Sequence, residues 1–354
     1  MEETGSVYRI LDASLNRANE GLRTLEDAAR FVLNHDALVS TLKELRHELA
    51  TMMDLLPRKE LLRSRDTGAD VGTRIEADAE YVRQNIKSVV VAAGSRVQQS
   101  VRVIEEYSKV IEPQISRKVE QLRYQLYTAC SELEILLDTN RLHQRLQRAQ
   151  LYLLIDAGQS DEDFKRKIIE LAKSEVDIFQ LRDQAVSDRT LMERAKLGVQ
   201  IAEEAGKLFI VNNRPDIAVA ADVHGVHVGQ DDLPVDEVRK VVGGDRLIGV
   251  STHQISEAKQ AVSDGADYIG CGPVFPSVTK EFDHFVGLEY LAGVSKLIRL
   301  PAFAIGGIGR SNVKQVVGTG FSRVAVASAL NSASNPLEVA AMLKTQLAHA
   351  GPEL

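Results

Sequence analysis

A run of strand length, Tyr268–Cys271, ends at Gly272, Pro273 and Pro276 and opens into a loop carrying Ser277, Thr279 and Lys280. Two hydroxyls and one compact ammonium at the end of a strand supply donors and charge for an anion, with phosphate or pyrophosphate the natural guest. The plainer reading is a polar surface loop. Other short apolar runs end in comparable groups: Gln180, Arg182 and Gln184; Asn212 and Asn213; His227 and Asp232; Ser251 and His253; Gly306 and Gly307; Ala327 and Ser328. Paired glycines let backbone N–H groups approach an oxyanion, and Ser328 stands where a helix would start. Asp232 is an oxygen donor for a hard cation bridging substrate phosphates; a helix N-cap is the alternative. His227 and His253 read as hydrogen-bonding groups more readily than as proton-transfer groups. Cys271 lies inside an apolar run with no partner in view, as a buried strand residue rather than a nucleophile.

The elements that must position these groups alternate. Strand-like runs occur at Leu151–Ile155, Ile178–Leu181, Leu208–Val211, Gly225–Val228, Leu247–Val250, Tyr268–Cys271, Ala302–Ile305 and Val324–Val326. Helical patterns separate most of them, as at Asp163–Ser174, Asp188–Ala205, Ile255–Asp264 and Asn312–Gly318. The pattern predicts an α/β domain over 149–354, a closed parallel (β/α)8 TIM barrel whose strand C-termini face the active site. A doubly wound sheet is the runner-up, without a dinucleotide fingerprint to support it. Strands seven and eight, where barrels often hold a phosphate, end at Gly306-Gly307 and Ala327-Ser328.

Residues 1–140 carry helix periodicity instead. Apolar stripes run Leu11, Leu15, Ala18, Leu22, Leu25, Ala29; then Leu38, Leu42, Leu45, Leu49, Met52, Met53; then Val89, Ala93, Val97, Val101, Ile104; then Val119, Leu122, Leu126, Leu133, Leu136. Ser14 or Asp12 could cap the first. The stretch Asn16–Asp27 resembles Ser95–Glu106, and Leu45–Leu49 resembles Leu122–Leu126. This duplication predicts an all-α bundle of two repeated helical hairpins. Arg23, Arg46, Arg102 and Arg123 fall at repeated positions; they read either as helix salt bridges or as an anion pocket between the hairpins. The aperiodic stretch 63–74 has the composition of a functional loop. The charged, helix-compatible stretch 138–148 is the expected linker.

At 354 residues the chain exceeds one ordinary core, in keeping with two domains. A net charge of −7 argues against a general nucleic-acid binder, and no apolar run reaches the length of a membrane span. The first residues lack the basic start and apolar core of a signal peptide. Cys130 and Cys271 show no metal-ligand spacing and read as free thiols, so a reducing cytoplasm is the expected location. A homo-oligomer is left open.

At this point the motifs FQLRDQ, VNNRPDIA, GVHVGQDDLP, IGVSTH, YIGCGPVFPSVTK, AIGGI and VAVASAL, in that order over about 149–347, resemble thiamine phosphate synthase. The resemblance implies coupling of hydroxymethylpyrimidine diphosphate to hydroxyethylthiazole phosphate, with Mg2+ assisting and pyrophosphate leaving. It implies that Gln180, Arg182 and Asn212 hold the pyrimidine diphosphate, Asp232 binds Mg2+ and Ser251 faces the reacting pyrimidine. Ser277, Thr279 and Lys280 would hold phosphate, with Lys280 also near the pyrophosphate; Gly307, with Ala327 and Ser328, would bind the thiazole phosphate. Three positions depart from the family pattern. Gln184 stands where a lysine is usual, Asn213 where a metal-binding aspartate is usual, and Ser277 where a threonine is usual. The segments YRILDASLNRANEGLRTLEDAARF, DTGADVGTRI and RVIEEYSK resemble the helical domain fused ahead of some thiamine phosphate synthases, which is linked to hydroxymethylpyrimidine phosphate kinase activity. The residues themselves contain no nucleotide-binding loop motif. The competing readings are a non-catalytic phosphate-ligand sensor on a barrel scaffold and a phosphosugar isomerase.

Overall fold

The computed structural model describes residues 2–65, 83, 85–276 and 285–348. The chain separates into two compact units, 1–140 and 141–354. The helices that begin in the first are α1 (Glu2–Phe31), α2 (Asp36–Met53), α3 (Arg58–Ser64), α4 (Ile86–Ile111) and α5 (Pro113–Arg148). Residues 141–148, read as linker, are the last two turns of α5 and belong to the second unit.

In the first unit the apolar stripes form one core, with Leu22, Leu25, Val97, Val101 and Leu126 fully buried. A side chain at Gly21 would bring its Cβ to 2.3 Å from Val97, so this glycine sets how closely α1 and α4 cross. The stripe continues upstream through Val7, and α1 starts at Glu2 rather than at Asp12 or Ser14. Asp12 instead accepts from Arg65 Nε at 2.8 Å and Nη2 at 2.7 Å. In α4 the inward residue is Val90, at 1% exposure, and not its neighbour Val89, at 37%. That helix begins in a capping box between Asn85 and Ser88.

The duplicated arginines build two equivalent ion-pair clusters. Buried Glu26 accepts from Arg46 Nε at 3.0 Å and Arg23 Nη1 at 3.4 Å, and Arg23 also faces Asp27. Buried Glu105 accepts from Arg123 Nε at 2.7 Å and from Arg102, which also faces Glu106. Each cluster holds two guanidiniums and two carboxylates. These four residues thus make the salt bridges of the first reading, repeated in both copies, with their charge matched by carboxylates of the same unit.

The second unit is a closed barrel, β1 (Leu151–Ile155), β2 (Ile178–Leu181), β3 (Leu208–Asn212), β4 (Gly225–Val228), β5 (Leu247–Thr252), β6 (Tyr268–Cys271), β7 (Ala302–Ile305) and β8 (Val324–Val326), each parallel to the next and β8 to β1. The outer helices are α6 (Asp161–Ala172), α7 (Asp188–Glu204), α8 (Pro215–Ala220), α9 (Val235–Val242), α10 (Ile255–Ser263), α11 (Gly287–Leu297), α12 (Val313–Val317), α13 (Ser328–Asn331) and α14 (Pro336–Ala348). Alternation along each strand separates two cores. Leu151, Leu153, Phe179, Phe209 and Val226 face the helices. Tyr152, Ile178, Ile210, Tyr268 and Phe303 fill the interior, joined from below by Leu146 of α5. The same end of α5 is tied down by Arg145 and Arg141 on Glu203 and by His143 on Asp267. Among the described residues no helix is long and apolar enough to cross a membrane.

Gly249 lies opposite Tyr268 in the β5–β6 register, and a Cβ there would sit 2.0 Å from the phenol ring. Gly249→Ala should therefore destabilise the protein by about 1–3 kcal/mol through overpacking. Urea unfolding monitored by circular dichroism measures this; a parent-like midpoint would show that the ring yields freely.

Candidate active site

Toward the C-terminal ends of the strands the inward positions turn polar. Gln180 follows Ile178, Asn212 follows Ile210, Ser251 follows Gly249, and His227 follows Gly225, each two residues on and so on the same face. They line a cavity of about 440 Å³ at that end of the barrel. It also takes in Arg182, Gln184, Asn213, Asp232, Gly307, Ala327 and Ser328, all singled out from the sequence. Ser277, Thr279 and Lys280 lie outside the described residues, as does most of the stretch 63–74 in the first unit.

Asp232 is held by its own turn and by β3. Its Oδ2 accepts from Gly229 N at 2.7 Å, and its Oδ1 accepts from Asn213 Nδ2 at 2.8 Å. It does not cap α9, whose N-cap is Pro234. Asn213 reaches it from a left-handed backbone conformation, φ 58°, which asparagine tolerates better than most residues. Because a carboxylate only accepts, the Asn213 amide must turn its nitrogen to Asp232 and its oxygen away. Among the described residues no group of three or more His, Cys, Asp or Glu could hold a metal. One carboxylate and one amide oxygen nonetheless suit Mg2+, which keeps waters and substrate phosphates in its shell.

Arg182 makes no ion pair among the described residues, so its charge is free to act across the cavity. His227 feels it: burial first, and then the Arg182 charge, push this imidazole down to about 4. His227 Nε2 lies 3.0 Å from Ser251 Oγ, and Nδ1 lies 3.2 Å from Tyr268 Oη. Tyr268 Oη is 2.9 Å from Tyr152 Oη, to which Gln180 Nε2 donates at 2.8 Å. The two tyrosines were not among the residues read as functional. The available signal was register: Tyr152 lies opposite Ile178 and Tyr268 opposite Gly249, each two positions before a polar residue, Gln180 and Ser251, and a buried phenol needs a partner.

At the β7 end, Gly306 and Gly307 have φ of 104° and 61°. A Cβ on Gly307 would fall 2.2 Å from the carbonyl oxygen of Pro276, so the glycine first permits close packing of the β6 and β7 loops. Gly307 and Ser328, at the start of α13, line the same cavity. Cys271 is fully buried and its thiol is pushed up to about 12 by burial, in keeping with a structural strand residue.

The neutral burial of His227 has a pH consequence. Its value falls from 6.5 to about 4 on folding, so between these values the unfolded chain binds the extra proton. Stability from this residue is intact above about pH 6.5 and is lost as the pH falls toward about 4, by roughly 3 kcal/mol in all. His227→Gln should be less stable than the parent at pH 7.5, and the gap should narrow or invert at pH 4.5 in urea unfolding. A gap independent of pH would mean that His227 does not titrate this way.

The sequence profile of "Thiamine monophosphate synthase" matches residues 151–330, and that of the "ThiD2 family" matches residues 9–132. A thiamine-phosphate synthase of Rhodopirellula baltica is 49% identical over 334 residues, covering 93% of this chain and 89% of its own. One from Nostoc punctiforme is 41% identical, covering 98% and 96%. The solved thiamine phosphate pyrophosphorylase of Pyrococcus furiosus superposes with a TM-score of 0.52 at 28% identity, covering 59% of this chain and 98% of its own. With that profile over half of its length and relatives of this identity over nearly all of it, the chain belongs to the thiamine monophosphate synthase family.

Proposed function

We propose that the barrel joins hydroxymethylpyrimidine diphosphate to hydroxyethylthiazole phosphate, giving thiamine monophosphate and pyrophosphate. The observation that carries this reading, beside family membership, is that one cavity gathers Gln180, Arg182, Asn212, Asp232, Ser251, Gly307 and Ser328. The bond between the pyrimidine methylene carbon and the diphosphate oxygen breaks, its electron pair leaving on pyrophosphate. The thiazole nitrogen supplies the pair for the new carbon–nitrogen bond. No proton need move for that exchange, so it asks for no general acid or base. The protein's work is to align two rings and stabilise charge on the leaving group.

In this reading Arg182 and Lys280 face the diphosphate, Gln180 and Asn212 hold the pyrimidine side, and Ser251 faces the reacting ring. Ser277 and Thr279 add hydroxyls; Gly307, Ala327 and Ser328 receive the thiazole phosphate. Asp232 and Asn213 are the residues that would hold Mg2+. When bound, Mg2+ supplies positive charge against the diphosphate. Gln184 contributes a neutral donor. A sensor without turnover has no observation in its favour. The first unit, by its profile match, is proposed to phosphorylate hydroxymethylpyrimidine phosphate to the diphosphate.

The full chain should form thiamine monophosphate from the two substrates with Mg2+; absence of product would sink the transferase reading. The same assay with the pyrimidine monophosphate and ATP tests the first unit, because product then requires the kinase step. Lys280→Ala should slow coupling by about 10²–10³-fold while leaving thiazole phosphate affinity nearly unchanged. The reverse pattern would exchange the two anion assignments. Asp232→Asn should raise the Mg2+ concentration needed for half-maximal rate, and Asn213→Asp should lower it. If neither moves it, the metal is held elsewhere.

A further inference from the structure

The hydroxyls, amide and imidazole beneath the cavity form one unbroken chain: Gln180, Tyr152, Tyr268, His227, Ser251. Gln180, Tyr152, Tyr268 and His227 are buried, so a hydrogen left without a partner in the chain is costly. Each member has one proton to give in this direction, and the first donation sets the direction in which every hydrogen of the chain has a partner. Gln180 donates its amide N–H to Tyr152 Oη. The Tyr152 hydrogen is then left for Tyr268 Oη, and the Tyr268 hydrogen for His227 Nδ1. A neutral imidazole that accepts at Nδ1 carries its proton on Nε2, which donates to Ser251 Oγ. Ser251's own hydrogen is what remains. Among the described residues no other side-chain partner of Ser251 Oγ is present, and the residue lines the cavity.

We infer that Tyr152, Tyr268 and His227 are positioning residues that hold the Ser251 hydroxyl as a hydrogen-bond donor into the cavity, aimed at an acceptor on the substrate ring. The inference deepens the reading of Ser251 as facing the pyrimidine, whose ring nitrogens are acceptors. The polarity is two-valued. With the Gln180 amide turned over, every hydrogen would reverse, Ser251 would donate to His227, and only its lone pairs would face the substrate. A reversal that begins at Tyr152 or Tyr268 makes that phenol accept twice and leaves its own hydrogen without a partner in the chain, which costs about 1–3 kcal/mol for a buried donor.

The direct test is nitrogen-15 NMR of the histidine rings in the full-length protein, with His227 identified by its loss in His227→Gln. The expected spectrum has the His227 proton on Nε2 and a bare Nδ1; a proton on Nδ1 overturns the proposal. Kinetics tests the consequence. Tyr268→Phe removes one oxygen from the chain and should lower kcat about tenfold with KM for the pyrimidine diphosphate nearly unchanged. Tyr152→Phe should do less, because Tyr268 can still donate to His227. The double variant Tyr268→Phe with Ser251→Ala should be no slower than Ser251→Ala alone. If the two losses multiply, Tyr268 acts by packing and the positioning role is wrong. If Ser251→Ala keeps the parent rate, the reading of Ser251 itself fails, and the role in catalysis falls with it whatever the NMR result.

Discussion

Two phenolic hydroxyls in the middle of an apolar barrel have to be satisfied, and much of the site follows from how this is done. Tyr152 and Tyr268 meet at 2.9 Å between Phe303, Ile178 and Leu208, where an unpaired hydroxyl would cost about 1–3 kcal/mol. Each hydroxyl bonds the other and then needs one more partner. Gln180 of β2 supplies one and His227 of β4 the other, both from the arc of strands between β1 and β6 in the barrel order. Both side chains are thereby held in the floor of the cavity. Gly249 is small because the Tyr268 ring occupies the space its side chain would need. The floor of the active site is thus a packed layer and a hydrogen-bonded layer at once, which makes it rigid in both senses.

The first unit uses polar groups differently. There the buried carboxylates Glu26 and Glu105 sit beside the apolar core, each bridging two helices through an arginine on the second. Arg123 also stacks on Tyr124 and Tyr127, a contact absent from the other copy, where His47 and Ala50 occupy the equivalent helical positions. A pair of this kind fixes the register between helices more than it adds stability, since desolvation offsets much of the attraction. Its repetition explains why the duplicated motif conserves charge pattern more closely than apolar detail within this one chain.

The barrel was largely legible because parallel strands covered on both sides read as short apolar runs. Six of the eight strands have the bounds the runs suggest, and β3 and β5 extend by one and two residues into the polar positions that line the cavity. The helical unit was legible in its stripes but less so at its ends. Asp12 and Ser14 look like caps, yet Val7 and Leu11 keep the stripe running through them; Asp12 is spent on Arg65, a contact 53 residues away that no local pattern announces. The arginines were left with two readings for a related reason. A repeated cation signals a repeated partner, and spacing alone does not say whether that partner is a ligand or a glutamate on the same helix. The site was legible wherever a polar residue ended an apolar run. The tyrosines were not, because an aromatic inside a strand has the pattern of core and its hydroxyl enters no periodicity.

The exchange of charge around Asp232 carries the last step. The family resemblance puts an aspartate where this chain has Asn213, and the contact between the two side chains is 2.8 Å. Two carboxylates at that distance repel unless a cation or a shared proton lies between them. The Asn213 amide replaces that repulsion with a hydrogen bond, so each oxygen of Asp232 already accepts one hydrogen bond, from Asn213 or Gly229, before any ligand arrives. A cation there would share the carboxylate with two N–H donors, and it would meet a neutral amide at the position where the resemblance puts a second carboxylate. Gln184, standing where a lysine is usual, removes a positive charge from the same cavity. The two changes have opposite sign, so the cavity keeps its overall balance while losing strength on both sides. Arg182, with no carboxylate partner among the described residues, is left as a positive charge lining the cavity.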